Sequence, residues 1–179
     1  MDPHAASQLE ASAQRYAATL RAPFATLGLC TDGNAVSGLA YLPDEIAQKA
    51  PANRVAERAV REIIRYLDDP EFVFTVAFAP GGTPFQRRVW DAIRAIPLSE
   101  SRTYGEIARA VRSAPRAVGQ ACGANRIALI IPCHRVVGSC GALGGFMGAA
   151  EGERPGADAA DPLAIKRWLL RHEGYRFGR

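Results

Sequence analysis

The chain has 179 residues, 48% hydrophobic and 22% charged, enough for one large core or two small ones. No stretch approaches the ~20 apolar residues of a membrane span, and the start, MDPHAASQLEASAQR, lacks the basic-then-apolar layout of a secretory signal. A cytoplasmic protein without a membrane partner is expected, and the net charge of +4 leans toward nucleic acid without requiring it.

Residues 1–13 read as a loose tail or a short, poorly anchored helix. From Tyr16 the pattern turns strand-like, with Tyr16, Ala18 and Leu20 alternating. FATLGLCT (24–31) and AVSGLAYL (35–42) flank Asp32-Gly33-Asn34, a hairpin signal. After a linker, NRVAERAVREIIRYLDD (53–69) predicts an amphipathic helix capped by Asn53. Its apolar stripe is Val55, Ala59, Ile63 and Leu67, widened by Val60 and Ile64. FVFTVAFA (72–79) predicts a strand with its phenylalanines on one face. Residues 1–81 thus read as an α/β domain of a small sheet plus a helix, and Pro80-Gly81-Gly82 marks its end.

Residues 82–179 have a different, mostly helical texture. Thr83-Pro84-Phe85-Gln86 is a capping box with proline at the first helical position, opening a helix that carries Phe85, Val89, Trp90, Ile93 and Ile96. Thr103-Tyr104-Gly105-Glu106 is a second capping box, with Tyr104, Ile107, Ala108 and Val111 on one face of the helix it opens. Ser113-Ala114-Pro115 breaks that helix, and a third follows over 116–125. The pair over 103–125 is similar to a helix-turn-helix. Its second member is mostly Ala and Gly after Arg116, which suits either tight packing on another helix or entry into a narrow DNA groove. Nine arginines against three acidic residues lie within 82–135, so this region is either a solvated basic face or a nucleic-acid surface. Residues 149–162 read as a loop rich in Ala, Gly and Pro. Asp161-Pro162 then opens a last helix with Ile165, Trp168, Leu169 and His172 as its buried face and Gly174 as its C-cap.

Four cysteines occur, Cys30, Cys122, Cys133 and Cys140, none spaced as C-x-x-C, and the three histidines are far apart. A structural zinc site has little support, and no nucleotide-cofactor motif is found, so neither metal nor cofactor is expected. One triplet stands out. The apolar run IALII ends at Pro132, and Cys133-His134-Arg135 follows at once. A nucleophilic cysteine needs a base or a positive field to lower its pKa, and these neighbours offer both. Adjacent side chains on an extended segment point apart, however, so a bridging water or a tight turn has to connect thiol and imidazole. A third group must orient the imidazole, and Glu173 of the last helix is the first candidate. Read alone, the dipeptide better fits a buried small cysteine beside a surface histidine.

PCHRVVGSCGALGGF, preceded by RAVGQACGAN and followed by IKRWLLRHEG, resembles the O6-alkylguanine-DNA alkyltransferase family. TPFQRRVWDAIRAIP and TYGEIARAV match the same pattern in order, and the resemblance covers residues 14–179. It implies a ribonuclease-H-like N-terminal domain (1–81) and a C-terminal domain (82–179) with a winged helix-turn-helix. It implies irreversible, single-turnover transfer of an alkyl group from O6-alkylguanine in double-stranded DNA, with O4-alkylthymine as a further candidate substrate, to Cys133 after base flipping. A non-catalytic lesion binder of the same fold is the alternative. By the same resemblance His134 is the base, acting through water, and Glu173 orients it. Asn125 braces the turn before the active segment. Tyr104 crowds the target phosphate and donates a proton toward guanine. Arg116 replaces the flipped base in the stack, and Ala117, Gln120, Cys122, Gly123 and Arg135 face the DNA. Pro132, Val136, Phe146, Met147 and Gly148 line the pocket, with backbone groups at Cys133 and Val136 reading the guanine edge. A monomer that meets DNA at the nucleoid is implied. The chain departs from the family pattern at the turn before Arg116, which is short, and over 148–162, which is long. It departs again at Phe146 and Met147, where tyrosine and a smaller residue are usual.

Overall fold

The computed structural model describes residues 13–147 and 161–177, so the expected N-terminal tail, most of the 149–162 loop and Gly148 lie outside the described residues. These residues form two compact units, one ending at Pro80 and the other starting at Gly81.

The first unit is built on an antiparallel sheet of strands β1 (Ala18–Ala22), β2 (Ala25–Thr31) and β3 (Val36–Leu42), in that order. Leu20 faces Leu27 and Leu29 faces Leu39 across the ladders. The β2–β3 turn forms as its residues demand. Asp32 Oδ1 accepts from the amides of Asn34 and Ala35, and Gly33 takes φ +96°, which a side chain would resist. Helix α1 (Arg54–Asp68) packs on all three strands, and the Asn53 side chain caps it by accepting from the Ala56 amide.

Two expectations fail here for one reason. The buried face of α1 is Ala56, Ala59, Glu62, Ile63 and Tyr66, while Ile64 is 43% exposed and Val55, Val60 and Leu67 are only half-buried. The strand expected over 72–79 forms no ladder and has a single bridge, between Val36 and Phe78. Glu62 explains both. Its carboxylate accepts from the amides of Thr75 (2.7 Å) and Val76 (2.8 Å), from the Thr75 hydroxyl, and from Arg58 Nε. A side chain thus takes the amides that a strand neighbour would have taken, and the helix turns its carboxylate inward to reach them. Tyr66 then packs on Phe74, with ring centroids 5.4 Å apart.

The second unit contains α2 (Pro84–Arg94), β4 (Arg102–Thr103), α3 (Tyr104–Ala110), α4 (Pro115–Gly123), β5 (Val136–Val137) and α5 (Pro162–His172). Both capping boxes are complete, at Thr83/Gln86 and Thr103/Glu106. Pro115, expected as a breaker, is the first helical residue of α4, where its missing N–H is not needed. Buried Trp90 donates from Nε1 to the Ala121 carbonyl at 2.8 Å and ties α2 to α4. Strands β4 and β5 pair in parallel, Thr103 opposite Val137, so the residues just after the Cys-His-Arg triplet are anchored to the start of α3.

The face assigned to α5 needs correcting. Ile165, Lys166, Leu169 and Leu170 are its buried residues, whereas Trp168 and His172 are half-buried and stacked on each other at 4.8 Å. The helix ends in a Schellman pair, the Tyr175 amide donating to Leu170 O and the Gly174 amide to Arg171 O, with Gly174 at φ +79°.

Because Glu62 replaces a strand partner, Glu62→Gln is expected to destabilise the chain by about 2–3 kcal/mol, since an amide cannot accept with both ends. Urea denaturation measures this; a change below about 0.5 kcal/mol, ordinary for surface substitutions, would show the carboxylate to be dispensable.

Candidate active site

The segment from Asn125 to Val137 carries the chemistry, and side chains rather than regular structure hold it. Asn125, buried just past the end of α4, donates from Nδ2 to the Ile131 carbonyl (3.0 Å) and to Cys133 Sγ (3.3 Å). Its Oδ1 accepts from the Ile127 amide. The apolar run 127–131 therefore folds into a buried turn, with Leu129 at φ +93°, and delivers Pro132 to the head of a 3-10 turn, Cys133–Arg135. Cys133 and His134 thus lie on a tight turn after Pro132 rather than on an extended segment.

Cys133 is 3% exposed and His134 fully buried. His134 Nε2 lies 3.0 Å from Glu173 Oε1. Arg135 forks onto the same carboxylate, Nε to Oε2 at 2.7 Å and Nη2 to Oε1 at 2.9 Å, and its Nη1 donates to the Ile96 carbonyl. Burial works to raise the Glu173 pKa, but His134 and Arg135 outweigh it and hold the carboxyl well below the usual carboxylate range. Burial pushes the His134 imidazole down, against the pull of Glu173. Burial likewise pushes the Cys133 thiol up, opposed by the Asn125 amide and the charge of Lys166. At neutral pH the resting site is then a neutral thiol beside a neutral imidazole. A carboxylate only accepts, so Nε2 carries the imidazole proton and Nδ1 carries the lone pair. Nδ1 is buried and has no hydrogen-bond partner among the described residues. The basic nitrogen is thus the one not spent on structure.

The residues expected to line a pocket are mostly buried. Pro132, Val136 and Phe146 are buried, and Met147 is half-buried at φ +52°. The Tyr104 hydroxyl donates to the Gly145 carbonyl at 2.9 Å, and burial first, then Cys122 and Cys133, push its pKa up. Gly144 (φ +69°) lies against the Tyr104 ring, where an added Cβ would come within 2.9 Å. Both backbone groups expected to read a guanine edge are engaged. The Cys133 amide donates to Ile131 O, and the Val136 carbonyl accepts from Lys166 Nζ at 2.6 Å.

Lys166 is the residue that sequence reasoning missed. Its side chain is fully buried, donates also to Gly145 O at 2.9 Å, and lies 5.9 Å over the Tyr104 ring. One ammonium thereby joins α5, the active segment and the pocket wall. The available signal was its place between Leu163 and Leu170 on one helix stripe, a position that calls for an apolar residue.

Two expected DNA contacts point elsewhere. Arg135 spends its guanidinium on Glu173 and Ile96, and Cys122 is buried on the inner face of α4. Arg116, Gln120 and Gly123 are exposed on the outer face of α4, with Ala117 half-buried beside them. The four cysteines form no disulfides, and no group of metal-ligating side chains occurs among the described residues. No helix among them is long and apolar enough to cross a membrane.

The family model described as 6-O-methylguanine DNA methyltransferase, DNA binding domain, matches residues 84–175. The chain is 47% identical over 103 residues to a methylated-DNA–protein-cysteine methyltransferase of Salmonella typhimurium, covering 56% of this chain and 53% of the relative. The chain thus spans about half the length of that relative. It is 36% identical over 165 residues to a protein of the same name from Methanosarcina mazei, covering 88% and 96% respectively. The crystal structure of Mycobacterium tuberculosis OGT in complex with DNA superposes with a TM-score of 0.70 at 34% identity, covering 87% of this chain and 90% of that one. The chain belongs to the 6-O-methylguanine DNA methyltransferase family.

Two outcomes follow from this electrostatic arrangement. His134 and Glu173 both have folded-state pKa values below their unfolded ones. The stability they confer is therefore complete above about pH 6.5, the unfolded His value, and is lost as pH falls through the folded values. The urea midpoint should drop below that pH, and less steeply in His134→Gln. Lys166→Met should move the alkylation of Cys133 by iodoacetamide to higher pH, because the charge that favours the thiolate is gone; an unchanged profile would limit Lys166 to packing.

Proposed function

We propose that this chain repairs alkylated guanine in double-stranded DNA by direct reversal, moving the alkyl group to Cys133. The observation that carries the reading is the chain of groups from thiol to carboxylate: Cys133 and His134 on one 3-10 turn, Nδ1 basic and unspent, and Nε2 held by Glu173. A proton leaving the thiol passes through water to Nδ1, and the ionised Glu173 stabilises the imidazolium. The thiolate attacks the O6-alkyl carbon. A C–S bond forms as the C–O bond breaks, the electron pair passes to the guanine ring, and the proton held at His134 completes the restored base. The product is a thioether, which has no route back, so each molecule acts once. The reacting thiol is buried, which demands that the base leave the duplex and enter the pocket.

For DNA, α3 and α4 supply a helix-turn-helix, part of a winged domain. Arg116 stands at the leading end of α4, and Gln120, Gly123 and Ala117 form the face that meets the groove. The first unit acts as a ribonuclease-H-like support. Binding as a monomer, in the cytoplasm at the nucleoid, completes the reading. The alternative of a lesion binder without transfer is disfavoured by the presence of Cys133 in this setting. Phe146 in place of tyrosine leaves an apolar wall without a hydroxyl.

Incubation with a duplex holding O6-methylguanine should add one methyl to the Cys133 peptide by mass spectrometry and none to Cys133→Ser. DNA binding without an adduct would favour the lesion binder. Arg116→Ala should slow transfer from duplex by on the order of tenfold or more, as loss of a base-replacing side chain worth at least 1.4 kcal/mol. Phe146→Tyr with Met147→Ser should change the ratio of rates on O6-methyl- and O6-benzylguanine; an equal ratio would remove these two residues from adduct selection.

A further inference from the structure

A cleft of about 550 Å³ runs beside α1 in the first unit, lined by Arg58, Arg61, Glu62, Arg65, Phe72 and Thr75. The support role proposed for that unit makes no use of it. Its three arginines lie at i, i+3 and i+7 and share one helix face, a row about 10 Å long at the helical rise. Glu62 is the one acid in the lining, and its oxygens are already filled by the Thr75 and Val76 amides, the Thr75 hydroxyl and Arg58 Nε. That carboxylate fixes Arg58 in place, with Arg58 Nη2 also donating to Thr75 Oγ1 at 2.8 Å. Arg65 lies over the Phe72 ring, 5.9 Å from its centroid. Arg61 pairs with Glu57, but both side chains are more than half exposed, and such an i,i+4 pair gives way readily to a competing anion.

A row of guanidinium groups with two members held in position, beside an aromatic plane, is the combination that nucleotide chains select. The forks match phosphate oxygens, and the ring offers a surface for a sugar or base. A carboxylate peptide would satisfy the charges but leave the ring unused. We propose that this cleft binds phosphate groups of a nucleotide chain, a second contact for nucleic acid in addition to the outer face of α4.

The test follows the arginine Nε–H resonances of the full chain by heteronuclear NMR while inorganic pyrophosphate or a short oligothymidylate is added at constant ionic strength. Saturable shifts at Arg58, Arg61 and Arg65 with both probes support the proposal. Shifts with pyrophosphate alone support a phosphate site that takes free nucleotides rather than a strand. In Arg61→Gln/Arg65→Gln the response should be lost, and the salt dependence of oligothymidylate affinity should fall by about 0.7 in logarithmic slope for each arginine removed. Arg61→Lys/Arg65→Lys should retain a weakened response, which separates charge from folding. Methyl transfer to Cys133 should be unchanged in either variant, so failure of this proposal is distinct from failure of the repair reading. Absence of saturable shifts, or the same response from matched sodium chloride or from the glutamine variant, would overturn it.

Discussion

The second unit depends on the Glu173 carboxylate. It sits at the C-cap of α5, where the helix dipole disfavours an anion, and it is almost fully buried. Both penalties are offset by partners of the opposite kind. Arg135 brings a full charge in a two-pronged fork, and His134 brings an N–H. The carboxylate's own backbone is pinned as well, since the Ser99 hydroxyl donates to the Glu173 carbonyl and the Schellman turn locks the next two residues. Removing the acid would leave a partly buried guanidinium without its partner and free the buried imidazole to rotate. The tautomer of His134 and the end of the last helix are therefore held by the same two oxygens.

The same economy of polar groups recurs where regular structure is missing. Asn125 uses one amide to close the buried 125–131 turn and to reach the thiol. Lys166 and Tyr104 converge on one carbonyl, Gly145, and so bind the pocket wall to α5 and α3. In the first unit Glu62 does for residues 75–76 what a neighbouring strand would do. In each case a buried side chain satisfies backbone groups that would otherwise be orphaned, and the irregular segment becomes as fixed as a helix. A nucleophile on such a segment can sit at a tight turn that no long strand or helix would allow.

This arrangement also sorts the arginines. Arg135 lies two positions from Cys133 yet serves the interior, whereas Arg116, on the outer face of α4, remains exposed. The small residues of α4 lie on both of its faces. Gly119 lies beside the Tyr104 ring on one side, where an added Cβ would make only ordinary contact at 3.9 Å, and Ala117 and Gly123 keep the other side low. The two readings of that helix, packing and groove entry, are therefore compatible.

What the chain alone determined is local. Both capping boxes, the Asp32-Gly33 turn, the Asn53 cap and the Gly174 ending all form where their residues stand, because each needs only partners within a few positions. The importance of the Cys-His-Arg triplet was also legible, through its motif. The distant partner Glu173 could be named by resemblance, but not its shared grip on Arg135. Tertiary structure alone decided that Lys166 points inward, that Cys122 is buried, and that α1 turns Glu62 to the core. It also decided that 72–79 is not a strand. Periodicity assigns a charged residue to water and an apolar run to a ladder. It cannot foresee a buried carbonyl or amide, contributed from far along the chain, that makes a buried charge the better partner.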